Sequence, residues 1–190
     1  MTQNDGRDMW IEAGLKDIGR AGVEGVRVEV LAERLGITKG GFYRRFKDRR
    51  ALLDALLETW TRGRIAAVEA QTRIAGADAR ERLKSVVTLY SERLNPQGMA
   101  IELAIRQWAR TDKAAATAVA SVDAARLSNV AQLYRQLGLA SEDAQARAVL
   151  FYAFIFGQSL LVLDESPRKR ASLTAACADL LIELGDRRRR

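Results

Sequence analysis

The sequence predicts an all-α protein of about nine helices. Apolar residues recur at helical spacing almost everywhere, for example at Leu53, Leu56, Leu57 and Trp60, whereas a half-buried strand would alternate apolar and polar residues. Only two prolines occur in the 190 residues, and both lie at breaks in this pattern. Turn-forming residues therefore separate stretches that are long enough to be helices.

Four helices are predicted in the first part of the chain. Gly22 and Gly36 end the first and the second, because glycine readily takes the left-handed conformation that follows a helix. Thr38 and Asp48 are candidate N-caps for the third and the fourth. These signals bound helices at residues 7–20, 28–35, 39–46 and 49–74.

Five further helices are separated by Gly76, by NPQG at 95–98, by Gly138 and by ESP at 165–167. They span residues 78–94, 98–110, 112–137, 142–163 and 168–185. Three short helices followed by longer ones indicate a small N-terminal module and a larger helical bundle. We expect an N-terminal three-helix domain at 1–50, a bundle at 51–186 and a basic tail at 187–190.

The net charge of +7 is concentrated in two places. Residues 36–50 carry six Lys or Arg against the single acid Asp48, and residues 187–190 are four arginines. Residues 1–35 hold seven acids against five bases, and the remainder is nearly neutral. On charge alone a solvated surface is the commoner explanation, so the basic segment needs a structural context before it indicates a nucleic-acid partner.

Composition argues against several other classes of protein. The chain has no histidine, the commonest general base and metal ligand. Its single cysteine, Cys177, excludes a disulfide within one chain. The longest uncharged run has 16 residues, at 148–163, which is short for a bilayer span. We expect no catalytic site, no metal, no cofactor, no membrane segment and a cytoplasmic location.

The stretch GITKGGFYRRFKDRR at 36–50 has the construction of a helix-turn-helix. Gly36 ends one short helix, Ile37 pins the turn and Thr38 caps the next helix. Phe42 and Phe46 are four residues apart, so they share a face that packs on the core. The opposite, exposed face then carries Lys39, Gly40, Tyr43 and Arg44, with Arg45 beside it.

Gly40 and Gly41 lie in the first turn of this third helix. A glycine inside a helix is less favourable than alanine by about 1 kcal/mol. One interpretation is close approach of the backbone to a DNA groove or phosphate. The other is that a glycine in the first turn has little effect.

Residues 22–56 resemble the DNA-binding domain of the tetracycline-repressor (TetR) family of bacterial transcriptional regulators. The matching features are Gly22, LAERLGIT at 31–38 and the pattern G-x-FY-x-x-F-x-D-[KR]-x-AL over 40–52. The resemblance covers roughly residues 8–57. The layout of nine helices, the first three short, is also the family's.

The resemblance implies a double-stranded DNA operator and a role for each residue of the motif. The residues expected at or in the major groove are Thr38, Lys39, Gly40, Gly41 and Arg44. Among them Lys39 and Arg44 are the candidates for contacting guanine edges. Residues expected to hold phosphates are Tyr43, Arg45 and Arg49. Arg27 stands where the family usually has Ser or Thr, so it replaces a capping hydroxyl with a long cation that can reach a phosphate.

For the larger half, the resemblance implies a small-molecule effector and a homodimer formed through the helices near 142–163 and 168–185. The apolar run at 149–163 supports a helix that is covered on all sides. A monomer core would also cover it. Candidate pocket residues combine apolar side chains with a few polar groups, as an ordinary core does, and are Leu89, Tyr90, Met99, Leu103, Gln107 and Trp108.

The sequence therefore predicts a homodimeric, DNA-binding transcriptional regulator, and more specifically a repressor released from a pseudo-palindromic operator by a small molecule. Two alternatives stay open. One is a non-specific nucleoid or RNA-binding protein that uses the same basic surface, and the other is an enzyme in the C-terminal bundle.

Overall fold

The computed structural model describes residues 3–72, 78–92, 96–162 and 164–183. Within these ranges the chain forms nine α-helices, one 3₁₀ turn and no strand, which confirms the all-α class. No helix in the described part of the chain has the length and apolar content needed to cross a membrane.

The helix bounds agree closely with those predicted. The first four are α1 (Gln3–Ala21), α2 (Val28–Leu35), α3 (Lys39–Tyr43) and α4 (Arg49–Thr72), and the 3₁₀ turn Val23–Gly25 follows α1. The others are α5 (Ala79–Glu92), α6 (Pro96–Trp108), α7 (Lys113–Gln136), α8 (Ser141–Leu160) and α9 (Pro167–Ile182).

The third helix is three residues shorter than predicted, because its last turn tightens. The amide of Arg45 donates to the Phe42 carbonyl, three residues back, at 2.8 Å. This is the hydrogen bond of a 3₁₀ turn, which is common at the end of an α-helix. Asp48 then accepts from the amide of Ala51 at 2.8 Å, so it caps α4 as predicted.

Two compact units make up the chain, residues 1–64 with 95–122 and residues 65–94 with 123–190. Two of the three boundaries fall inside α4 and α7, and the third lies between α5 and α6. Helix α6 and the first part of α7 therefore belong to the same unit as the helix-turn-helix.

Aromatic packing forms the centre of the first unit. Trp10 of α1 contacts Phe42 of α3 edge to face, with ring centroids 5.1 Å apart, and Phe42 stacks on Phe46 at 5.4 Å. All three side chains are buried. A buried carboxylate, Asp17 of α1, pairs with Arg34 of α2 at 2.5 Å, so one ion pair also joins these two helices.

The core of the second unit comes from α5, α7, α8 and α9, and its fully buried members include Leu83, Phe151, Ile155 and Ile182. Tyr134 of α7 donates its hydroxyl to the Leu181 carbonyl of α9 at 3.0 Å. Burial raises the pKa of Tyr134 to about 12. The hydroxyl therefore stays protonated and keeps donating near neutral pH.

The described part of the chain leaves one side of helices α8 and α9 exposed. Ala146, Leu150 and Ala153 of α8 are exposed at spacings that place them on one side of the helix. On α9 Leu180 is 72% exposed. A cleft of about 620 Å³ between α8 and α9 is lined in part by Leu150 and Leu180. We call these residues the α8–α9 apolar face.

Candidate nucleic-acid interface

The turn between α2 and α3 has the geometry of a helix-turn-helix. Gly36 adopts a left-handed conformation with φ of 64°, and the amide of Ile37 donates to the Ala32 carbonyl at 2.9 Å. The Gly36 amide donates to the Glu33 backbone carbonyl, and these two hydrogen bonds close the end of α2 in a Schellman motif. The Thr38 hydroxyl accepts from the Gly41 amide at 3.2 Å and caps α3. Gly36 therefore ends α2 and Thr38 caps α3, and these two structural predictions are confirmed.

Burial of Phe42 decides which side of α3 is exposed. Its ring is fully buried, whereas the ring of Tyr43, the next residue, is 60% exposed and contacts Phe42 edge to face at 5.2 Å. Lys39, Gly40 and Arg44 are also exposed. The exposed side of α3 therefore consists of Lys39, Gly40, Tyr43 and Arg44, as predicted, and we call it the α3 face.

The two glycines of α3 are in different environments. A Cβ atom on Gly41 would lie 2.5 Å from Cγ2 of Ile37, whereas one on Gly40 would meet nothing closer than 3.7 Å. Because Cγ2 is attached directly to the Cβ of Ile37, it has little freedom to move away. Gly41 thus has an intramolecular reason to be glycine, which neither interpretation of the sequence anticipated. Gly40 has none of this kind.

The guanidinium of Arg45 turns inward. Its Nη1 donates to the Gly41 carbonyl at 3.1 Å. It also lies against the backbone of α1, where a Cβ on Gly6 would fall 2.1 Å from Nη2. Arg45 therefore joins the end of α3 to the start of α1.

The guanidinium of Arg49 holds the 3₁₀ turn. Nε donates to the Val26 carbonyl at 2.7 Å and Nη2 donates to the Val23 carbonyl at 2.6 Å. Two carbonyls that lead into α2 are thereby bound to the first residue of α4.

Arg50 forms a further link that the sequence did not predict. It donates to Asp54 at 2.8 Å and forms an ion pair with both oxygens of Asp112. The Asp112 carboxylate also caps α7 by accepting from the Ala115 amide at 3.0 Å. The hydrogen bond from Arg50 lowers the pKa of Asp112, so the carboxylate is charged near neutral pH.

The remaining cations of the segment are more available to a partner. Among the residues that the structure describes, the side chains of Arg44 and Lys47 have no hydrogen bond or ion pair, and both are exposed. Arg27 occupies the N-cap position of α2 and makes no capping hydrogen bond with its side chain. Lys39 is exposed and pairs with Glu29 of α2 at 3.1 Å.

Helix α6 packs directly on the helices that carry this surface. A Cβ on Gly19 of α1 would lie 2.9 Å from Cγ1 of Ile101 and 3.6 Å from the carbonyl oxygen of Gln97. The two helices therefore approach closely at Gly19. Arg64 of α4 donates to the Gly98 carbonyl at 3.0 Å and lies 3.6 Å from the buried carboxylate of Glu102. Displacement of α6 would disturb α1 and α4 together.

Four of the predicted pocket residues belong to α6. Trp108 is buried, Met99 and Leu103 are half-buried and Gln107 is exposed. The side chains of Leu89 and Tyr90 and the tail at 187–190 lie outside the described residues. The pocket therefore stays a prediction.

Comparison with known families identifies the N-terminal segment. Residues 11–56 match the family described as bacterial regulatory proteins, tetR family. The class C tetracycline repressor of Escherichia coli is 44% identical over 52 residues, which are 27% of this chain and 24% of that protein. The class A repressor from transposon 1721 of Escherichia coli is 46% identical over 48 residues, 25% of this chain and 22% of its own length. The match thus spans about a quarter of these relatives.

Solved structures resemble the chain over nearly its whole length. A TetR-family transcriptional regulator from Rhodococcus sp., named as putative, has 26% identity and a TM-score of 0.75, covering 94% of this chain and 100% of that one. A transcriptional regulator from Saccharomonospora viridis, also named as putative and solved in complex with choline, has 21% identity and a TM-score of 0.77. Its match covers 92% of this chain and 95% of the other, and at that identity it supports the fold alone.

The two glycines of α3 give the first prediction. We expect Gly41→Ala to lower the free energy of unfolding by about 1–3 kcal/mol, because the new methyl group overpacks against Ile37. Gly40→Ala is expected to raise it by up to about 1 kcal/mol, because alanine favours the helix and the space is open. Urea unfolding followed by circular dichroism measures both. Equal effects of the two substitutions would contradict the difference in packing.

Proposed function

Because the chain belongs to the tetR family of bacterial regulatory proteins, we propose that it is a cytoplasmic transcriptional regulator, a homodimeric repressor that a small molecule releases from its operator. The observation that carries this proposal is the α3 face. It is an exposed set of polar and cationic side chains on a capped helix of a helix-turn-helix, held in place by the buried rings of Phe42 and Trp10.

Within this proposal the residues predicted to contact DNA have different roles. Arg44 and Lys39 enter the major groove and contact guanine, with Thr38 and the two glycines bringing the backbone close to the groove wall. Tyr43 and Arg27 contact phosphates. Arg45 and Arg49 are expected to contact phosphates as well, but both guanidinium groups already bind backbone carbonyls. These arginines chiefly hold the module in shape, and any phosphate contact uses their remaining N–H groups.

The proposed function also divides the chain into a DNA-binding domain and a domain for the effector and the second copy. We propose residues 1–50 as the DNA-binding domain and residues 51–186 as the part that binds the effector and a second copy. Helix α6 lies in the latter by sequence and packs on α1 of the former. It also binds Arg64 of α4, the helix that begins at the end of the former and continues into the latter.

A second copy of the chain is the partner proposed for the α8–α9 apolar face. Leu150 and Leu180 are exposed beside a cleft that Asp143 and Arg147 also line. Exposed leucines are unfavourable in water, and burial against a second copy by two-fold symmetry would remove them from it. A Cβ on Gly157 of α8 would meet nothing within 4 Å, so a partner helix has room to approach closely. Two recognition helices about 34 Å apart would then read the two halves of a palindrome.

Release by an effector is proposed to act through α6. The predicted pocket residues Met99, Leu103, Gln107 and Trp108 lie on the helix whose backbone touches Gly19 and binds Arg64. An effector that contacts α6 and favours a shifted position would move α1 and α4. The recognition helices of the dimer would then lose the spacing that suits the operator.

Operator binding is the first test. A duplex selected by the wild-type protein from a randomised pool should bind more tightly than a shuffled duplex at the same salt concentration. Arg44→Ala should weaken operator binding about tenfold or more, because a bidentate guanine contact is worth about 1–3 kcal/mol. Fluorescence anisotropy measures both affinities.

Arg62→Ala is the matched control for Arg44→Ala. Arg62 is exposed on α4 and pairs only with Glu58, at 3.4 Å, among the described residues. Its position thirteen residues along α4 from Arg49 places it about 20 Å from the start of that helix. Its loss should leave operator affinity unchanged. Equal wild-type binding to selected and shuffled duplexes would instead favour the non-specific nucleoid or RNA-binding alternative.

Dimerisation is tested on the α8–α9 apolar face. Leu150→Glu and Leu180→Glu should each convert the dimer to a monomer in sedimentation equilibrium, because they place charges in an apolar interface. Ala120→Glu adds the same charge at an exposed position of α7 and should leave the dimer intact. A dimer that persists in both leucine variants would exclude this face.

Effector release is tested by reciprocity. Any compound that raises the melting temperature of the protein and lowers operator affinity must itself bind more weakly, by the same factor, when operator is present. Choline is the first probe, because the Saccharomonospora viridis neighbour was solved with it. Calorimetric titration with and without operator measures the factor for the compound, and a compound whose affinity is the same with and without operator would not be a releasing effector.

A further inference from the structure

An ion pair at the edge of the α3 face combines one acidic residue with the first residue of α3. Oε1 of Glu29, in the first turn of α2, lies 3.1 Å from Nζ of Lys39. Both side chains are largely exposed, at 59% and 60%. Such a pair contributes little to stability, because water and salt screen it.

The position of Glu29 is unfavourable for simple attraction to DNA. A carboxylate beside a phosphate-binding surface repels the phosphates and reduces the favourable release of counterions. Glutamine or lysine at this position would bind DNA of any sequence more tightly. The acidic residue therefore has to be explained by something other than overall affinity.

Glu29 is itself held in place. A hydrogen bond from its own backbone N–H and the contact with Lys39 lower the pKa of Glu29, with a smaller contribution from Arg27. The carboxylate is thus charged near neutral pH and held between the start of α2 and the start of α3.

Lys39 is the cation of the α3 face that most needs such a partner. A lysine side chain has four flexible carbons and an ammonium group without preferred direction, so on its own it would reach the nearest phosphate as readily as a base. A carboxylate 3.1 Å from the ammonium favours the Lys39 conformers on the side of α3 that faces Glu29. Two of its three N–H donors remain for acceptors such as O6 and N7 of guanine.

We propose that Glu29 is a specificity-determining residue that acts through Lys39. It holds the ammonium over the base edges at the start of α3, and it makes the alternative contact with a phosphate unfavourable. Glu29 lowers the affinity for DNA of any sequence and raises the preference for the operator. This inference rests on the proposed function as a sequence-specific DNA-binding protein.

The test compares Glu29→Gln with wild type on a selected operator duplex and a shuffled duplex at one salt concentration. The affinity for shuffled DNA should rise, because a negative charge is lost, while the ratio of operator to shuffled affinity should fall about tenfold. Glu33→Gln is the control, since Glu33 is exposed on the same helix and has no side-chain partner among the described residues. It should leave the ratio unchanged.

A double-mutant cycle separates positioning from a general effect on folding. In the Lys39→Ala background, Glu29→Gln should no longer change the operator-to-shuffled ratio, because the residue through which it acts is gone. Glu29→Asp keeps the charge but shortens the reach to Lys39, and it should lower the ratio without raising the affinity for shuffled DNA. Thermal unfolding confirms that each variant is folded.

The outcomes are distinct. A selective wild type whose ratio is unchanged by Glu29→Gln overturns this inference and leaves the proposed function standing. The inference is also overturned if Glu29→Gln lowers the operator-to-shuffled ratio by the same factor in the wild type and in the Lys39→Ala background. A wild type that binds both duplexes equally overturns the proposed function and this inference together.

Discussion

Burial of Phe42 is the constraint on which the α3 face depends. The ring sits between Trp10 of α1 and Phe46, at centroid distances of 5.1 and 5.4 Å. A helix as short as α3 is not stable on its own, so this packing, rather than helix propensity, holds it in place. Once Phe42 points inward, the helical period places Tyr43 and Arg44 outward. The surface proposed to bind DNA thus follows from the burial of one ring.

The basic segment shows that a run of charge is not a single functional feature. Arg45 and Arg49 bind backbone carbonyls, and Arg50 binds the carboxylates of Asp54 in α4 and of Asp112 at the start of α7. The guanidinium groups of Arg45 and Arg49 supply hydrogen bonds where short helices and turns meet, because the backbone carbonyls there need donors. Arg44 is left on the surface. Three of the six cations in the segment therefore shape the module, and three remain for a nucleic-acid partner.

Helix α6 connects the two functions proposed for the chain. Its backbone and the side chain of Ile101 lie against α1 at Gly19, which has no side chain of its own, and Arg64 of α4 binds its Gly98 carbonyl. A contact between backbones transmits displacement more directly than a contact through flexible side chains, because close-packed atoms cannot absorb the movement. This arrangement supports the proposal that α6 links an effector to the recognition helices.

The sequence alone determined the helical class, the helix bounds to within a few residues, the caps at Thr38 and Asp48, and the exposed side of α3. These depend on local signals, namely apolar period, capping hydroxyls and carboxylates, and glycine at turns.

Only the tertiary structure decided what each cation and glycine contacts. Arg49 is 23 residues from the carbonyl of Val26 that it binds, and Arg50 is 62 residues from Asp112. Gly41 is explained by a contact with Ile37, and the Glu29–Lys39 pair arises where α2 and α3 meet. Periodicity shows which side of a helix faces outward but not what lies opposite it. The partners of long, flexible side chains are set by the packing of distant segments, and local sequence carries no signal for that packing.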